Sequence, residues 1–271
     1  MSSPFLNSVV VTLAALLISS AAAQGRELRV CADPDNMPFS DRQQRGFENR
    51  IADVVASALG AHLTYVWQRM GRGFVREYID KAQCDLVMGV PANFRPLLTT
   101  TPYYRSSYVF VVPARGALHS ISLDSPELHR LRIGVQVLDE NYTPPGSALA
   151  RRGLQNKMVG FDTTGESADS IIRAVASHQV DIAVVWGPLA GYFAKPYHDS
   201  LKLVPVEPEV DPPGLPFTFS ISMGVRKANV ALRDELEKVL VQRGRQIQQI
   251  LAEYNVPQLP LAKESSKQRA N

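Results

Sequence analysis

From Arg26 onward, short apolar runs rich in β-branched residues alternate with segments of helical spacing, and this limits the chain to folds built on a sheet wound with helices. "LRVCA", "HLTYVWQ" and "CDLVMGV" read as strands, and "GFENRIADVVASALG" and "RGFVREYIDKA" as the helices between them. After "YVFVVPA" the order begins again, with "LRIGVQV", "KMVGFD" and "VDIAVVWG" as strands and "SALARRGL" and "SADSIIRAVASHQ" as helices. Two similar α/β units thus follow one another. The run "FTFSISMGVRK" then has the character of "YVFVVPA", and a long helix follows with Leu232, Leu236, Val239, Leu240, Ile247, Ile250 and Leu251 on one stripe. If the first of these runs carries the chain out of the first unit and the second carries it back, the second unit is inserted into the first. The expected fold is α/β with two lobes, two crossover strands and a cleft: residues 26–112 and 224–261 in lobe 1, and 113–223 in lobe 2.

The 23 residues before Gln24 carry no charged side chain, run apolar from Val9 to Ile18 and end in Ala21-Ala22-Ala23, the pattern of a signal peptide with an A-x-A cleavage site. That run is about half of the roughly 20 residues a membrane span needs, so export, without a membrane span, is the expectation. Part of the +3 net charge sits in a polar tail, 262–271, expected to be flexible. No basic stripe interleaved with aromatics occurs elsewhere, which argues against a nucleic-acid partner. Cys31 and Cys84 form a disulfide, as exported chains favour, or remain two small buried thiols, because neighbouring parallel strands could hold them too far apart.

Open α/β sheets bind ligands at the carboxyl ends of their strands. Here those ends supply Asp33, Asn36, Phe39, Pro91, Asp139, Tyr142, Trp186 and Tyr192. Trp67 in "VWQRMGRGF" is either an aromatic rim of the cleft or part of a solvated basic turn, and the aromatics of "PYYRSSYVF", Tyr103 and Tyr104 with Tyr108 and Phe110, are either ligand wall or hinge core. Asp33-Pro34-Asp35-Asn36 fails as a calcium loop at Met37 and Pro38, and the cluster is too small for a hard cation that wants six or more oxygens. Asp33, Glu48, Asp139 and Glu140 could supply a carboxylate pair for acid–base chemistry, but the five histidines have no ligand spacing and neither cysteine has a nearby histidine. The residues point to a binding protein with no catalytic group, metal or cofactor.

The lobe order, the "GFENRIADVVASALG" helix after "NMPFS" and the "TTTPYYRS" segment resemble periplasmic solute-binding proteins of amino-acid type. More narrowly, "LRVCADPDNMPFS", "CDLVMGVP", "TTTPYYRSSYVFV", "YTPPGSALARRGL" and "VVWGPLAGYFA" resemble the solute-binding-like proteins associated with quinoprotein (PQQ) alcohol dehydrogenases, the MoxJ/XoxJ type, from Leu28 to about Pro257. The resemblance implies a type II periplasmic binding protein fold and an accessory role for a methanol or alcohol dehydrogenase, with the enzyme or a small partner in the cleft. It departs from amino-acid binders in two places. Arg95 stands too close to Pro102 to be the usual carboxylate grip, and the strand that should end in an acid for the ammonium ends in Trp186. Pro144 and Pro145, where small residues usually present N–H groups, have none to offer. The alternatives are a transport receptor for a small non-amino-acid molecule and, third, an enzyme on this fold. Asp33, Asp35 and Asn36 are expected to serve recognition at the rim.

Overall fold

The apolar runs bury almost completely, and their burial sets their order in space. The computed structural model describes residues 25–69, 71, 73–115, 118–138 and 141–261; the leader, 1–23, and the tail lie outside the described residues. Strand β1 (Glu27–Ala32) is followed by α1 (Phe47–Ala58), β2 (His62–Trp67), β3 (Leu86–Pro91) and the long β4 (Tyr104–Pro113). The second series is β5 (Ile133–Leu138), α2 (Pro144–Arg151), β6 (Met158–Asp162), α3 (Ser170–Ala176), β7 (Ile182–Trp186), α4 (Gly187–Phe193) and β8 (Leu201–Pro205). Strand β9 (Thr218–Val225) and helix α5 (Val230–Glu253) complete the chain.

One sheet runs β6–β5–β7–β4–β9–β3–β1–β2, with β8 alongside β4. β1 pairs parallel with β2 and β3, and β5 pairs parallel with β6 and β7, so each series forms its own half of the sheet. The halves are joined where β4 and β9 pair antiparallel, Tyr104 opposite Ile221 and Ser107 opposite Thr218. Beyond that pairing, β4 runs on against β7 and β8, and β9 runs on against β3. Tyr108, Phe110 and Val112 pack in the core of the second half, whereas Ile221 and Met223 pack in the core of the first. The chain therefore changes halves within the β4/β9 pair, and not at 112/113 and 223/224 as the sequence suggests. A continuous apolar strand gives no local mark of the place where its neighbours change.

In α1, Phe47, Ile51, Val54 and Val55 recur at helical spacing and all are buried, facing the Leu232, Leu236, Ile247 and Leu251 stripe of α5. Asn49 Oδ1 accepts the N–H groups of Gly46 and Asp41, closing the start of α1. Gly46 is required there, since a Cβ would lie 2.0 Å from the carbonyl oxygen of Phe39. Two elements differ from expectation. "RGFVREYIDKA" yields only a π-helical segment, Val75–Ile79, because Gly73 and Ala82 take positive φ on either side of it. "GPLAGYF", to which the sequence reading assigns no element, is α4, with Pro188 in its first turn, where a missing N–H costs nothing.

Cys31 and Cys84 are bonded, with Cα atoms 5.6 Å apart, and pack with Ile79, Val87, Val90 and Leu97. Cys84 sits in the turn before β3 and not opposite Cys31 in the ladder, where Val87 stands, and this removes the steric objection. The bond closes a 53-residue separation. Replacing both cysteines by alanine is expected to lower stability by about 2–4 kcal/mol, mainly by freeing the unfolded chain. Urea denaturation checks this; a loss within error would mean that the bond constrains little.

Candidate functional site

Where the two halves meet, the structure holds a cavity of about 390 Å³. Its first-half walls come from the β1–α1 loop (Asn36, Phe39), from Glu48 in the first turn of α1, and from Met88, Gly89 and Pro91 of β3. Its second-half walls come from Gln136 and Leu138 of β5, from Thr163 and Thr164 after β6, and from Trp186 and Leu189 at the junction of β7 and α4. Tyr104 and Tyr108 of β4 and Phe219 and Ile221 of β9 line it from the joining strands. Trp186, Tyr108 and Phe219 form one aromatic group, with ring centroids 5.2 Å apart for Trp186–Tyr108 and 5.8 Å for Trp186–Phe219. Gln136 ties the second-half wall together: its Nε2 donates to Thr163 Oγ1 at 2.9 Å and its Oε1 accepts the backbone N–H of Trp186 at 2.6 Å.

Glu48 is the one ionisable acid among the described lining residues, and no Lys, Arg or His accompanies it. Its carboxyl has no hydrogen-bond or ion-pair partner among the described residues and packs over Gly89, whose φ of +69° keeps the backbone bare there. A Cβ on Gly89 would lie 2.1 Å from Glu48 Oε1. The carboxyl touches solvent only in part, and the protein enclosing it at longer range pushes its pKa from 4.5 up to about 8. Burial also raises Tyr103, Tyr104 and Tyr108, with Glu48 adding to the first two, so all three stay protonated phenols.

Of the residues picked from sequence, Asn36, Phe39, Pro91, Tyr104 and Trp186 come together at the cavity. Asp139 lies outside the described residues. Five others do not line it. Asp33 turns its carboxylate back to the N–H of Asp35 at 3.0 Å, an Asx turn. Trp67 stacks on Tyr65 at 4.5 Å, on the outermost strand of the first half. Tyr103 is buried behind Tyr104, its Oη accepting the Gly89 N–H. Tyr142 is 45% exposed, and Tyr192 stacks on Tyr254 beyond α5. Arg95 is exposed on the loop after β3 and does not line the cavity. Tyr108, left between wall and hinge core by its stretch, also lines the cavity, and the reading from strand ends missed Glu48 as a lining group, together with Gln136, Thr163, Thr164 and Phe219.

No protein-family model matches the chain. Protein MoxJ of Paracoccus denitrificans is 33% identical over 263 residues, 90% of this chain and 93% of that protein. The crystal structure of MxaJ from Methlophaga aminisulfidivorans MPT superposes with a TM-score of 0.77 at 30% identity, covering 86% of this chain and 100% of that one. That of the periplasmic binding protein XoxJ from Methylobacterium extorquens AM1 gives 0.70 at 36% identity, covering 86% and 99%.

The raised pKa of Glu48 makes stability fall as pH rises. Below pH 4.5 the group is protonated both folded and unfolded, and it adds no pH dependence. Between 4.5 and about 8 the unfolded chain ionises first, and above that the penalty is constant. Glu48→Gln is therefore expected to gain on the wild type by roughly 2–5 kcal/mol as pH is raised through this window. Parallel denaturation curves at acid and alkaline pH check it; a constant difference would mean the carboxyl ionises freely.

Proposed function

The chain belongs to the MoxJ family of periplasmic binding proteins, and from that premise we propose that it is a periplasmic accessory protein of a PQQ-dependent methanol or alcohol dehydrogenase. In this reading its two halves act as lobes that meet at β4 and β9, and the cavity between them receives the enzyme or a small partner of it. The observation that carries the proposal is likeness to MoxJ over nearly the whole chain, with the cavity at the joint of the same fold.

The lining argues against an amino acid. A zwitterion needs a cation for its carboxylate as well as an acid for its ammonium, and an unmatched buried ion costs several kcal/mol. The described lining offers only the acid. The second reading, a receptor for a small non-amino-acid molecule, is favoured by the volume and the aromatic walls, which suit a compact apolar ligand. A catalytic reading has less to support it: of the four acids suggested for a carboxylate pair, Glu48 lines the cavity, Asp33 does not and turns its carboxylate to the Asp35 N–H, and Asp139 and Glu140 lie outside the described residues.

Affinity capture from periplasmic extract separates these readings. The wild type is expected to retain a quinoprotein dehydrogenase, and Asn36→Ala, which removes a rim amide, to retain less of it with an unchanged melting temperature. Failure to capture the enzyme, alongside a thermal shift with a periplasmic metabolite fraction, would replace the accessory reading with the receptor.

A further inference from the structure

We propose that the cavity is a binding site for a small organic ammonium cation, held by the Glu48 carboxylate among the rings of Phe39, Tyr104, Tyr108, Trp186 and Phe219. The inference rests on the reading of this cavity as a binding site, and it does not depend on the dehydrogenase.

The first reason is the isolation of Glu48. A carboxyl enclosed by protein without a hydrogen bond either stays protonated or needs a cation beside it. Nothing among the described lining residues supplies one, so for Glu48 to ionise at neutral pH the ligand is the natural source of the counter-charge. The backbone is shaped around the acid, because any side chain at Gly89 would occupy the place of its carboxyl. Glu48 also stands in the first turn of α1, where the helix N-terminus favours the ionised form once a cation is present.

The second reason is the surrounding chemistry. Five aromatic rings line a space of about 390 Å³, and a cation within about 6 Å of such rings is attracted by their quadrupoles, more strongly when desolvated. The neighbouring polar groups are largely committed to the protein. Gln136 is used at both ends, and the Thr164 hydroxyl donates to Asp162. A primary ammonium has three N–H groups to satisfy and would find few free acceptors. An alkylated ammonium presents methyl groups instead, so it matches the apolar walls while still answering the charge.

The test uses choline and tetramethylammonium as probes and 3,3-dimethyl-1-butanol, the uncharged isostere of choline, as control. Calorimetric titration of the full mature chain at neutral pH is expected to show both cations binding, with the isostere weaker than choline by at least about tenfold. Glu48→Gln should weaken choline by a similar factor while leaving the isostere nearly unchanged. Equal binding of choline and its isostere, unchanged choline binding by Glu48→Gln, or no binding of either cation overturns the proposal. Capture of the dehydrogenase without choline binding would sink the ammonium site alone; choline binding without capture would sink the accessory reading alone.

Discussion

The antiparallel pairing of β4 with β9 over four residues positions every wall of the cavity. With Tyr104 opposite Ile221 and Ser106 opposite Phe219, residues two apart on each strand share one face, which brings Tyr104, Tyr108, Phe219 and Ile221 together. A slip of one residue would turn these side chains to the other face of the sheet. The same pairing sets the half-sheets side by side, so that the β1–α1 loop of one half and the β5 and β6 ends of the other approach a common space. Sequence, register and cavity are linked through this one contact.

On that frame the chemistry is asymmetric. The second-half wall is self-contained: Gln136 ties β5 to Thr163 and to the first residue of the β7–α4 junction, and its polar atoms have partners. The first-half wall carries the unanswered group. Glu48 lies beside the buried Tyr103 and Tyr104, is only partly reached by solvent, and its carboxyl faces a bare glycine. An acid so placed destabilises the empty protein at neutral pH, because the unfolded chain hydrates it freely. A site that retains such a group is specified by charge as well as by shape.

Much of this was legible in the sequence, and the failures have identifiable causes. The alternation of strands and helices and the stripe on α5 showed in local periodicity, because each buried face repeats at the period of its own element. Asn36, Phe39, Pro91 and Trp186 were found because strand ends in such sheets point to the ligand. Glu48 was noted only as one of four acids, since in sequence it is indistinguishable from an acid that favours a helix N-terminus. Phe219 was missed as a wall, and Tyr108 was left between wall and hinge core, because they meet only through a pairing that spans more than a hundred residues. Tyr192 was misplaced because it was taken with the end of the strand, with no helix assigned to "GPLAGYF". As the sixth residue of α4 it is carried away from the strand end to Tyr254.

The segment after α5 adds a third link between the halves, and its attachment points matter. The Pro257 carbonyl accepts a hydrogen bond from Ser106 Oγ at 2.6 Å, and the Leu259 N–H donates to the Arg105 carbonyl at 2.8 Å. Both contacts fall inside the β4/β9 pair and not far out on either half. The same segment also packs on α4, where Tyr192 stacks on Tyr254 and Asn255 lies against Gly191. The cavity floor belongs to the β4/β9 joint, whereas Phe39, Thr163 and Thr164 are carried by loops of opposite halves. Rotation would therefore move those walls more than Tyr104 and Tyr108. Glu48, in the first turn of α1, interacts with Tyr104 of the joint, so the acid of the cavity belongs with its floor more than with the loops that carry Phe39, Thr163 and Thr164.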